Sequence, residues 1–515
     1  MTARLRTSAA IVKGNRYSLG YQAVDDTTRR RNTVKRTSPE ISVLTPTKRD
    51  RASATAREDR RNFSILAWMI RRHLDNVSRF TPTFRLPGDA PEIKKVNELV
   101  KRLLDWHSRR RQFDALGRHG RDEWLRMFEA CKVIEGDAAG LKVSGGRLQG
   151  IEGDRIKKPT DWGKEKPTQK AQNAITDEGL TFDAAGRRTG YCVCKRIPPS
   201  AMQYERVVPE ADMVFDGYWP DRFDSNRGVS PLLTALNEGA DVRETWEWLV
   251  VKAKASAVFG LAFTRTGSDD IFPTQGEPNT SAPASETAAY TDQVGKAVKA
   301  RGLINLDLDP GDDVKEIQSS TPNPTVIPFT RELIRSILLS LDIPFTFYDS
   351  LTASFSARIA DRNEYEESCE WKRDKNISVL DEIYGGWLIP AWYGSDLFGF
   401  GQALDAAKVT PEEVAMSLRW VPAGRPWLDR SNEMSGHILA LAAGVTSVPK
   451  ICAAYGEDAY EIAAEQKEYL EKAGIPLLYA QGGQVPVNDL LKQAREGAIA
   501  DQKPAQPAQE GKDDE

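Results

Sequence analysis

Apolar residues recur at helical spacing near the start of the chain. In the first such stretch, from about Glu58 to Val77, the apolar positions fall on one face: Ile65, Leu66, Met69, Ile70 and Leu74. A second helix is predicted from Pro91, which suits a first helical turn. Residues 1–57 show little periodicity and are rich in Thr, Ser, Arg and Lys, so we predict a flexible basic arm there.

The pattern changes between residues 122 and 214, where short strand-like pieces alternate with turn residues. Residues 191–195 alternate as a half-buried strand does, and they contain Cys192 and Cys194. No second cysteine pair or nearby His supplies the two further ligands that a metal site would need. We therefore interpret both cysteines as structural.

The second half of the chain is predicted to be mostly helical. One long helix has Ser230 as its cap and Pro231 in its first turn, and another starts at Pro328 and stops at Pro344. Between them, a Ser-, Thr- and Pro-rich segment (267–295) precedes a short strand at 304–308. The remaining predicted elements are a helix capped by Ser356 that reaches about Ile383, an aromatic turn from Trp387 to Tyr393, and helices at Pro426–Ala443, Val448–Tyr455 and Asp458–Lys472.

The two ends of the chain carry opposite charge. The 515 residues have a formal net charge of -3, but residues 1–72 hold 17 Lys and Arg against 6 Asp and Glu, whereas residues 451–515 hold 6 against 13. Such ends either meet different partners or are solvated, partly disordered termini. From Ala498 onward the composition predicts disorder.

Composition argues against several classes of protein. The five cysteines are scattered, which indicates a reduced compartment rather than a disulfide framework. No apolar run approaches the ~20 residues that a membrane-spanning helix needs, and the first 30 residues lack the apolar core of a secretion signal. We therefore expect a soluble intracellular protein without a membrane partner.

The common catalytic motifs are absent from the sequence, which contains no Walker glycine loop, no HExxH and no Gly-x-Ser-x-Gly. The densest acidic cluster consists of Asp307, Asp309, Asp312 and Asp313, a set of the kind that binds Mg²⁺ in nucleases. The same residues around Pro310 and Gly311 are also ordinary turn chemistry. A metal-dependent nucleic-acid-processing enzyme using the Asp307–Asp313 cluster is therefore kept as an alternative, and no metal or cofactor is expected otherwise.

Several different short motifs, none of them catalytic, are distributed along most of the chain. They are Asp154–Ile156 with Pro159, Asp183–Arg187 with Tyr191 and Val193, Val208–Ala211 with Arg227–Leu232, Leu308–Asp312 with Pro322–Pro324 and Phe329, Leu341–Pro344 with Ser354–Arg358, and Trp420–Pro422 with Arg425–Pro426, Leu428–Asp429, Gly444–Ser447 and Gly456–Asp458. In this order, and over about residues 58–475, they resemble the portal proteins of tailed bacteriophages of the lambda type.

This resemblance implies an α+β fold, an elongated portal-type subunit with a mixed α/β wing, a helical stem, a small α/β clip and a mostly helical crown. The implied parts are a basic arm (1–57), the wing (58–229), a first stem helix (230–264), the clip (265–327), a second stem helix (328–343), a tunnel loop (344–357), a wing and long-helix region (358–425), the crown (426–475) and an acidic, largely disordered tail (476–515). The tail is expected to extend from the crown.

The resemblance also implies that about twelve copies form a ring at one capsid vertex, through which double-stranded DNA is packaged and ejected. The implied partners are the terminase large subunit, the major capsid and scaffold proteins, and head–tail adaptor proteins, in the virion and earlier in the host cytoplasm. The basic arm would contact packaged DNA, bind scaffold or capsid protein, or be a cleaved assembly signal. A head–tail adaptor that forms no ring is a further alternative, disfavoured by the length of the chain.

A conduit must not hold DNA tightly, and each phosphate that a cation neutralises adds affinity. The net charge of -3 suits this requirement. By resemblance, the candidates for DNA contact in the tunnel loop are Thr346, Ser350, Thr352, Ser354, Ser356 and Arg358, and the candidates for phosphate contact in the lumen are Lys252, Lys254 and Arg335. The alternative is that the loop residues only turn the chain and that these cations form ion pairs between subunits.

Overall fold

The computed structural model describes residues 44–163, 166–197, 201–218, 223, 225–258, 261–265, 312–316, 326–351, 353–424 and 430–473, with the backbone alone at 253–258, 261–265 and 312–316. The chain divides into two compact units. Residues 1–236 together with 338–515 form the first unit, and Asn237–Ile337 form the second. The first unit therefore contains both ends of the described chain.

The described chain begins with two consecutive helices, α1 (Pro46–Asn62) and α2 (Ser64–Val77). They are separated at Phe63, whose backbone is extended and whose side chain is buried. The single helix predicted from Glu58 was wrong, because α1 is almost wholly polar and shows no apolar stripe. Residues 46–57, predicted as part of a flexible arm, are helical. The apolar face predicted for α2 is confirmed, since all five of its residues are buried.

Helices and two small sheets follow. The elements before the sheets are β1 (Phe80–Phe84), α3 (Pro91–His107), α4 (Arg110–Phe113) and α5 (Arg121–Glu135). The next elements are β2 (Asp137–Val143), β3 (Arg147–Glu152), α6 (Gln169–Ala174), β4 (Leu180–Phe182), β5 (Arg188–Ile197), β6 (Ala201–Pro209) and β7 (Met213–Gly217). The strands pair antiparallel in two sheets, β3-β2-β7 and β4-β5-β6. The strand predicted at residues 191–195 is confirmed as part of β5.

The second unit is built mostly from two helices and a strand pair. Helix α7 (Leu236–Val258) is followed by β8 (Leu261–Arg265), which pairs antiparallel with β9 (Asp312–Glu316), and by helix α8 (Val326–Leu339). Ser230 does not cap α7; its Oγ accepts a hydrogen bond from the Leu232 amide (3.2 Å) at a separate 3₁₀ turn. The predicted strand at 304–308 and the segment 267–295 lie outside the described residues.

The C-terminal part of the first unit begins with the long helix α9 (Phe355–Ile383). It continues through a π-helical turn, Tyr384–Leu388, into α10 (Ile389–Gly394), so the turn predicted from Trp387 to Tyr393 was wrong. The segment stays helical because its buried side chains keep helical spacing against the core. The remaining elements are α11 (Phe400–Ala407), α12 (Pro411–Ser417), β10 (Leu418–Pro422), α13 (Arg430–Ala442), α14 (Val448–Ala454) and α15 (Ala459–Ala473). The last three confirm the predicted C-terminal helices.

The main apolar core joins the two ends of the first unit. β1 pairs antiparallel with β10, from Phe80 opposite Pro422 to Phe84 opposite Leu418. Beside this pair, buried side chains from α3, α5 and α9 to α11 form one cluster that includes Trp124. Within the described residues, no helix combines the length and the apolar character that crossing a bilayer requires.

Cys192 and Cys194 lie in a small buried cluster with Ile175, and all five cysteines are free thiols. The Cys194 thiol donates a hydrogen bond to the carbonyl of Lys157 (3.3 Å). Over the part of the chain that the structure describes, no group of three or more His, Cys, Asp or Glu is placed to bind a metal. The positions of both cysteines agree with their interpretation as structural residues.

Candidate nucleic-acid interface

The predicted tunnel loop is tied to α9 at its base. Asp342 has a left-handed backbone (φ 60°), which a short polar residue tolerates better than most. Its carboxylate accepts hydrogen bonds from Lys372 Nζ and from Ser368 Oγ, both at 2.7 Å. Burial opposes the charged form of Asp342, but the bond from Lys372 outweighs it and lowers the pKa of this carboxyl. The ionised Asp342 thus fixes where the loop begins.

A second tie joins the middle of the loop to α9. The Thr346 hydroxyl donates to Asp361 Oδ2 (2.7 Å), and Thr346 itself is half-buried. The next side chain, Phe347, packs edge-on against Tyr365 of α9, with ring centroids 5.3 Å apart. Thr346 therefore has an intramolecular role at the base of the loop, whatever it contacts in addition.

The tip of the loop faces solvent. Ser350 is exposed, and Leu351 is 91% exposed. The Asp349 carboxylate accepts a hydrogen bond from the Leu351 amide (3.1 Å), which closes the turn locally. Thr352 lies outside the described residues. The tip thus presents a hydroxyl and an apolar side chain rather than a cation.

The first turn of α9 continues this exposed surface. Ser354 caps the helix, because its Oγ accepts a hydrogen bond from the Ala357 amide (3.2 Å). The sequence pattern placed the cap at Ser356, which was wrong by two residues. Ser356 and Arg358 are exposed, and no ion pair involves Arg358 within the described residues. Phe355, 57% exposed, adds a second apolar side chain.

Leu351 and Phe355 lie within the predicted tunnel loop, but sequence reasoning did not single them out as candidates for contact. Both are apolar, and the hydrophobic pattern assigns such residues to a core or to no role. Leu351 lies just before a long helix and Phe355 lies in its first turn. This position was the available signal, because loop residues that precede a helix run over the protein surface. Apart from the Asp349 carboxylate, the tip is thus uncharged.

The predicted lumen cations belong to the second unit. Lys252 is exposed on α7, whereas the side chain of Lys254 lies outside the described residues. Arg335 is exposed on α8 and has Nη1 3.8 Å from Glu332 Oε1, one turn earlier on the same helix. An exposed pair at this distance adds little stability, so Arg335 remains free to reorient toward another anion.

The structure describes no side chain of the acidic cluster on which the alternative enzyme hypothesis depends. Asp307 and Asp309 lie outside the described residues. Asp312 and Asp313 begin β9, so Asp312, assigned from sequence to a turn, starts a strand, and only its backbone is described. The hypothesis stays a prediction that a cleavage assay tests.

Helix α9, which carries the loop, is fixed in the interior by a buried lysine of α5. Lys132 Nζ donates to Asn376 Oδ1 of α9 and to Asp216 Oδ2 of β7, and it pairs with Glu129 Oε2, each at 2.8 Å. Three acceptors match the three protons of an ammonium group. Burial disfavours the charge of Lys132, but Glu129 and Asp216 outweigh it and raise the pKa of this ammonium.

The same network extends to α2 through a buried histidine. His73 Nε2 donates to Glu129 Oε1 (2.9 Å), and the Tyr218 hydroxyl donates to the same oxygen (2.6 Å). Burial lowers the pKa of His73 below its ordinary value, so its imidazole is neutral. Burial opposes ionisation of Glu129, but Lys132 and His73 together hold the pKa of this carboxyl well below its usual range.

Arg227 occupies the centre of a second buried network. Its five N–H donors all find acceptors: the two Asp137 carboxylate oxygens (2.5 and 2.7 Å) and the carbonyls of Ile156, Glu178 and Gly153 (2.5, 2.8 and 2.8 Å). Beside it, the backbone of Gly228 approaches that of Gly136 so closely that an added Cβ on Gly228 would lie 2.0 Å from the Gly136 carbonyl. The Arg227–Gly228 motif therefore holds the segment before α7 against β2.

Most of the chain matches one known protein family. The family described as "Phage portal protein, lambda family" matches residues 27–371, more than half of the 515 residues. The chain belongs to the lambda family of phage portal proteins. Portal proteins of this family are structural components of the phage, and the resemblance drawn from short motifs is confirmed. The matched range includes Arg227, the loop at 344–357 and most of α9.

Part of that resemblance lies beyond the matched range. The segments from Trp420 to Asp458 follow residue 371, so the assignment of this region to a crown remains a prediction. The motif residues 425–429 also lie outside the described residues. The portal family is thus established on the N-terminal two thirds of the chain.

Three solved structures are similar to this portal protein at low identity, with TM-scores below 0.5. The neck of an empty gene transfer agent particle, computed with C6 symmetry, is 14% identical and covers 78% of this chain and 93% of that chain, with a TM-score of 0.46. The virion of the native gene transfer agent particle is 15% identical over 80% and 99%, with a TM-score of 0.41. An HK97-family phage portal protein from Corynebacterium diphtheriae is 11% identical over 67% and 90%, with a TM-score of 0.29. No curated protein sequence matches the chain.

Proposed function

We propose that this portal subunit assembles into a ring of about twelve copies at one vertex of the capsid, where the ring is the conduit for double-stranded DNA during packaging and ejection. The observation that carries the proposal is the match to the lambda family of phage portal proteins over residues 27–371. The ring would dock the terminase large subunit first and head–tail adaptor proteins later, and would meet capsid and scaffold proteins during assembly in the host cytoplasm.

In this proposal, α7 and α8 are the stem and the β8–β9 pair belongs to the clip. The domain order supports the assignment, because two helices that enclose a strand pair follow the wing-like sheets of the first unit in sequence. The C-terminal helices α13 to α15 form the crown. Lys252 and Arg335, both exposed, are the lumen cations open to phosphate.

The loop from Pro344 to Ser354 is proposed to face DNA. Its ties to α9 are at its base and middle, while Ser350 and Leu351 are exposed at the tip. Without cations, the tip releases no counterions on contact with phosphate, so it adds little affinity. Such a surface permits DNA to slide.

Native mass measurement tests the ring directly. Twelve subunits of 57.3 kDa have a total mass of about 690 kDa, and cyclic closure gives one discrete species. A ring of this mass or of a neighbouring subunit number supports the proposal. A monomer or dimer that remains small when scaffold protein is added contradicts it, and the same sample with DNA and Mg²⁺ tests the enzyme alternative through Asp312→Ala.

Added charge tests the loop. Replacing both Ser350 and Ser356 by Arg places two cations per subunit on the proposed DNA surface, so packaging in a defined reaction should slow, and more so at low salt. Ser378→Arg is the matched control, because Ser378 is exposed on the same helix about 33 Å beyond Ser356 at 1.5 Å per residue. Equal slowing by the control and the loop variant would remove the loop from the channel.

A further inference from the structure

Helix α1 is docked on the first unit almost without apolar contact. Its 17 residues bury only Ser53, Ala56 and Asp59, whereas α2 buries seven residues, most of them large and apolar. Small and polar residues contribute little hydrophobic stabilisation. What holds α1 in place must therefore be sought among its charged side chains.

Arg57 provides the main attachment of α1. Its guanidinium contacts three carboxylates, from Glu135 of α5 (2.5 Å), Glu152 of β3 (3.2 Å) and Asp154 (2.8 Å). Arg196 of β5 also pairs with Glu152 and with Asp154. Two arginines thus face three carboxylates, and removal of Arg57 would leave Arg196 as the one cation paired with any of these acids within the described residues.

A second attachment lies about two turns earlier on α1. Lys157 Nζ contacts both carboxylate oxygens of Asp50, each at 2.8 Å. The neighbouring Arg49 donates to the carbonyl of Gly228. The side chains of Arg57, Glu152 and Asp50 are 31%, 46% and 47% exposed, so salt weakens their contacts. Glu135 and Asp154 are 4% and 11% exposed, so their contacts with Arg57 are screened less.

The surface beneath α1 contains groups that would respond if the helix left. Cys131 of α5 is half-buried and lies about one helical turn before Glu135, whose carboxylate pairs with Arg57 of α1. Glu135 is buried beside Arg57, and burial raises the pKa of Glu135 to about 7. A thiol in this position reports whether α1 is docked.

We propose that α1 is an ionic strap: it detaches as a unit from α5 and β3 while α2 remains folded, and Arg57 with its three carboxylates is the contact that controls release. Residues 1–43, with nine Lys and Arg against three Asp and Glu, precede α1 directly. Release of the strap lengthens by 17 residues the segment that carries these cations.

Hydrogen exchange on the full-length protein tests the strap. In about 0.05 M salt, Arg57→Ala should speed exchange of the amides in 46–62 by about tenfold or more, while those in 64–77 change less than about twofold. Raising salt to about 0.5 M should act on the wild type in the same direction. Arg51→Ala is the matched control, because Arg51 is exposed on α1 and makes no ion pair within the described residues.

Two outcomes overturn the proposal. If exchange of 46–62 in Arg57→Ala stays within about twofold of the wild type, Arg57 does not control docking. If 46–62 and 64–77 speed up together, or if Arg51→Ala matches Arg57→Ala, α1 is not a separately released strap. The milder Glu152→Gln variant gives the same test should Arg57→Ala fail to fold.

Thiol labelling gives a second readout. The background is Cys452→Ser, because Cys131 and Cys452 are the two half-buried cysteines and the other three are buried. Labelling of Cys131 should be faster in Arg57→Ala than in Arg51→Ala, and faster in high salt. Equal rates in both variants mean that α1 stays docked without Arg57, which contradicts the strap.

Discussion

Two regions of the first unit treat polar groups in opposite ways. Around Arg227 and Lys132, charged side chains are buried and each meets three or more acceptors. At the tip of the loop, Ser350 and Leu351 face solvent, and the polar ties lie at its base, at Asp342 and Thr346. The interior uses its charged groups to fix elements to one another, whereas the exposed end of the loop carries one carboxylate, Asp349, and no cation.

This difference indicates that family motifs can mark residues needed for folding, whereas a surface open to a partner can lie outside any motif. Arg227 and Gly228, which gave part of the family resemblance, act in the interior, where a buried guanidinium requires all of its partners. The tip residue Leu351 belongs to no motif, although its side chain is the more accessible to a partner. Substitutions in the two regions should therefore separate stability from function.

Arg227→Met should cause the largest loss of stability. It leaves the Asp137 carboxylate buried without its cation and removes the donors to three carbonyls, so the free energy of unfolding should fall by about 3–5 kcal/mol. Urea denaturation measures it. Arg206→Met is the control, because Arg206 is 50% exposed and its ion pair with Glu205 is long, at 3.8 Å. A loss below about 1 kcal/mol at Arg227 would mean that this network is not essential to the fold.

Lys132→Met should have the next largest effect, about 3 kcal/mol, because Glu129 would remain buried without its ammonium partner. Adding Glu129→Gln should recover part of the loss, since the double variant removes the fully buried carboxylate and leaves only Asp216, 14% exposed, without its cation. Thermal unfolding of both variants measures this, with Lys158→Met as an exposed control beside Asp177. A double variant that is less stable than either single one contradicts this account of the network.

Periodic patterns predicted the helices well where one face is apolar. The stripe of α2 and the C-terminal helices were found because hydrophobic spacing is local. α1 was missed because its docking uses charge, and the π-helical turn at Tyr384 was missed because aromatic residues beside Gly385 and Gly386 resemble a turn. These errors arise where tertiary contacts override local preference.

Long-range pairing could not be predicted at all. Phe80 pairs with Pro422 across some 340 residues, and no local pattern carries that information. Lys132 likewise contacts Asn376, 244 residues away, and the partners of Arg227 are 49 to 90 residues away. For the candidate site, resemblance predicted the loop and its serines, but not the exposure of Leu351 or the engagement of Thr346 with Asp361.

Buried His107 should make the stability of the protein depend on pH. Its Nε2 donates to the Gly146 carbonyl (2.6 Å), the Tyr384 hydroxyl donates to Nδ1 (3.2 Å), and burial lowers the pKa of His107 to about 4. The unfolded chain takes up a proton first, so stability that is present above pH ~6.5 should decrease as pH falls toward 4. His107→Gln should reduce the loss in the free energy of unfolding between pH 7 and pH 4.5 by about 1–2 kcal/mol, as measured by denaturation at both pH values. Half-exposed His119→Gln is the control, and an unchanged slope in His107→Gln would contradict the assignment.

Leu351→Ser should produce the smallest change in stability and so sharpen the comparison most. At 91% exposure the side chain loses almost no buried surface, so the free energy of unfolding should stay within about 0.5 kcal/mol of the wild type. Leu338→Ser, at a fully buried position, should cost several times more, which shows that the assay detects a lost apolar contact. If the tip faces DNA, Leu351→Ser should alter packaging in a defined reaction although ring mass and stability are unchanged. Unchanged packaging would leave the exposed leucine without a part in the conduit, whereas a loss of the ring would place it at a contact between subunits.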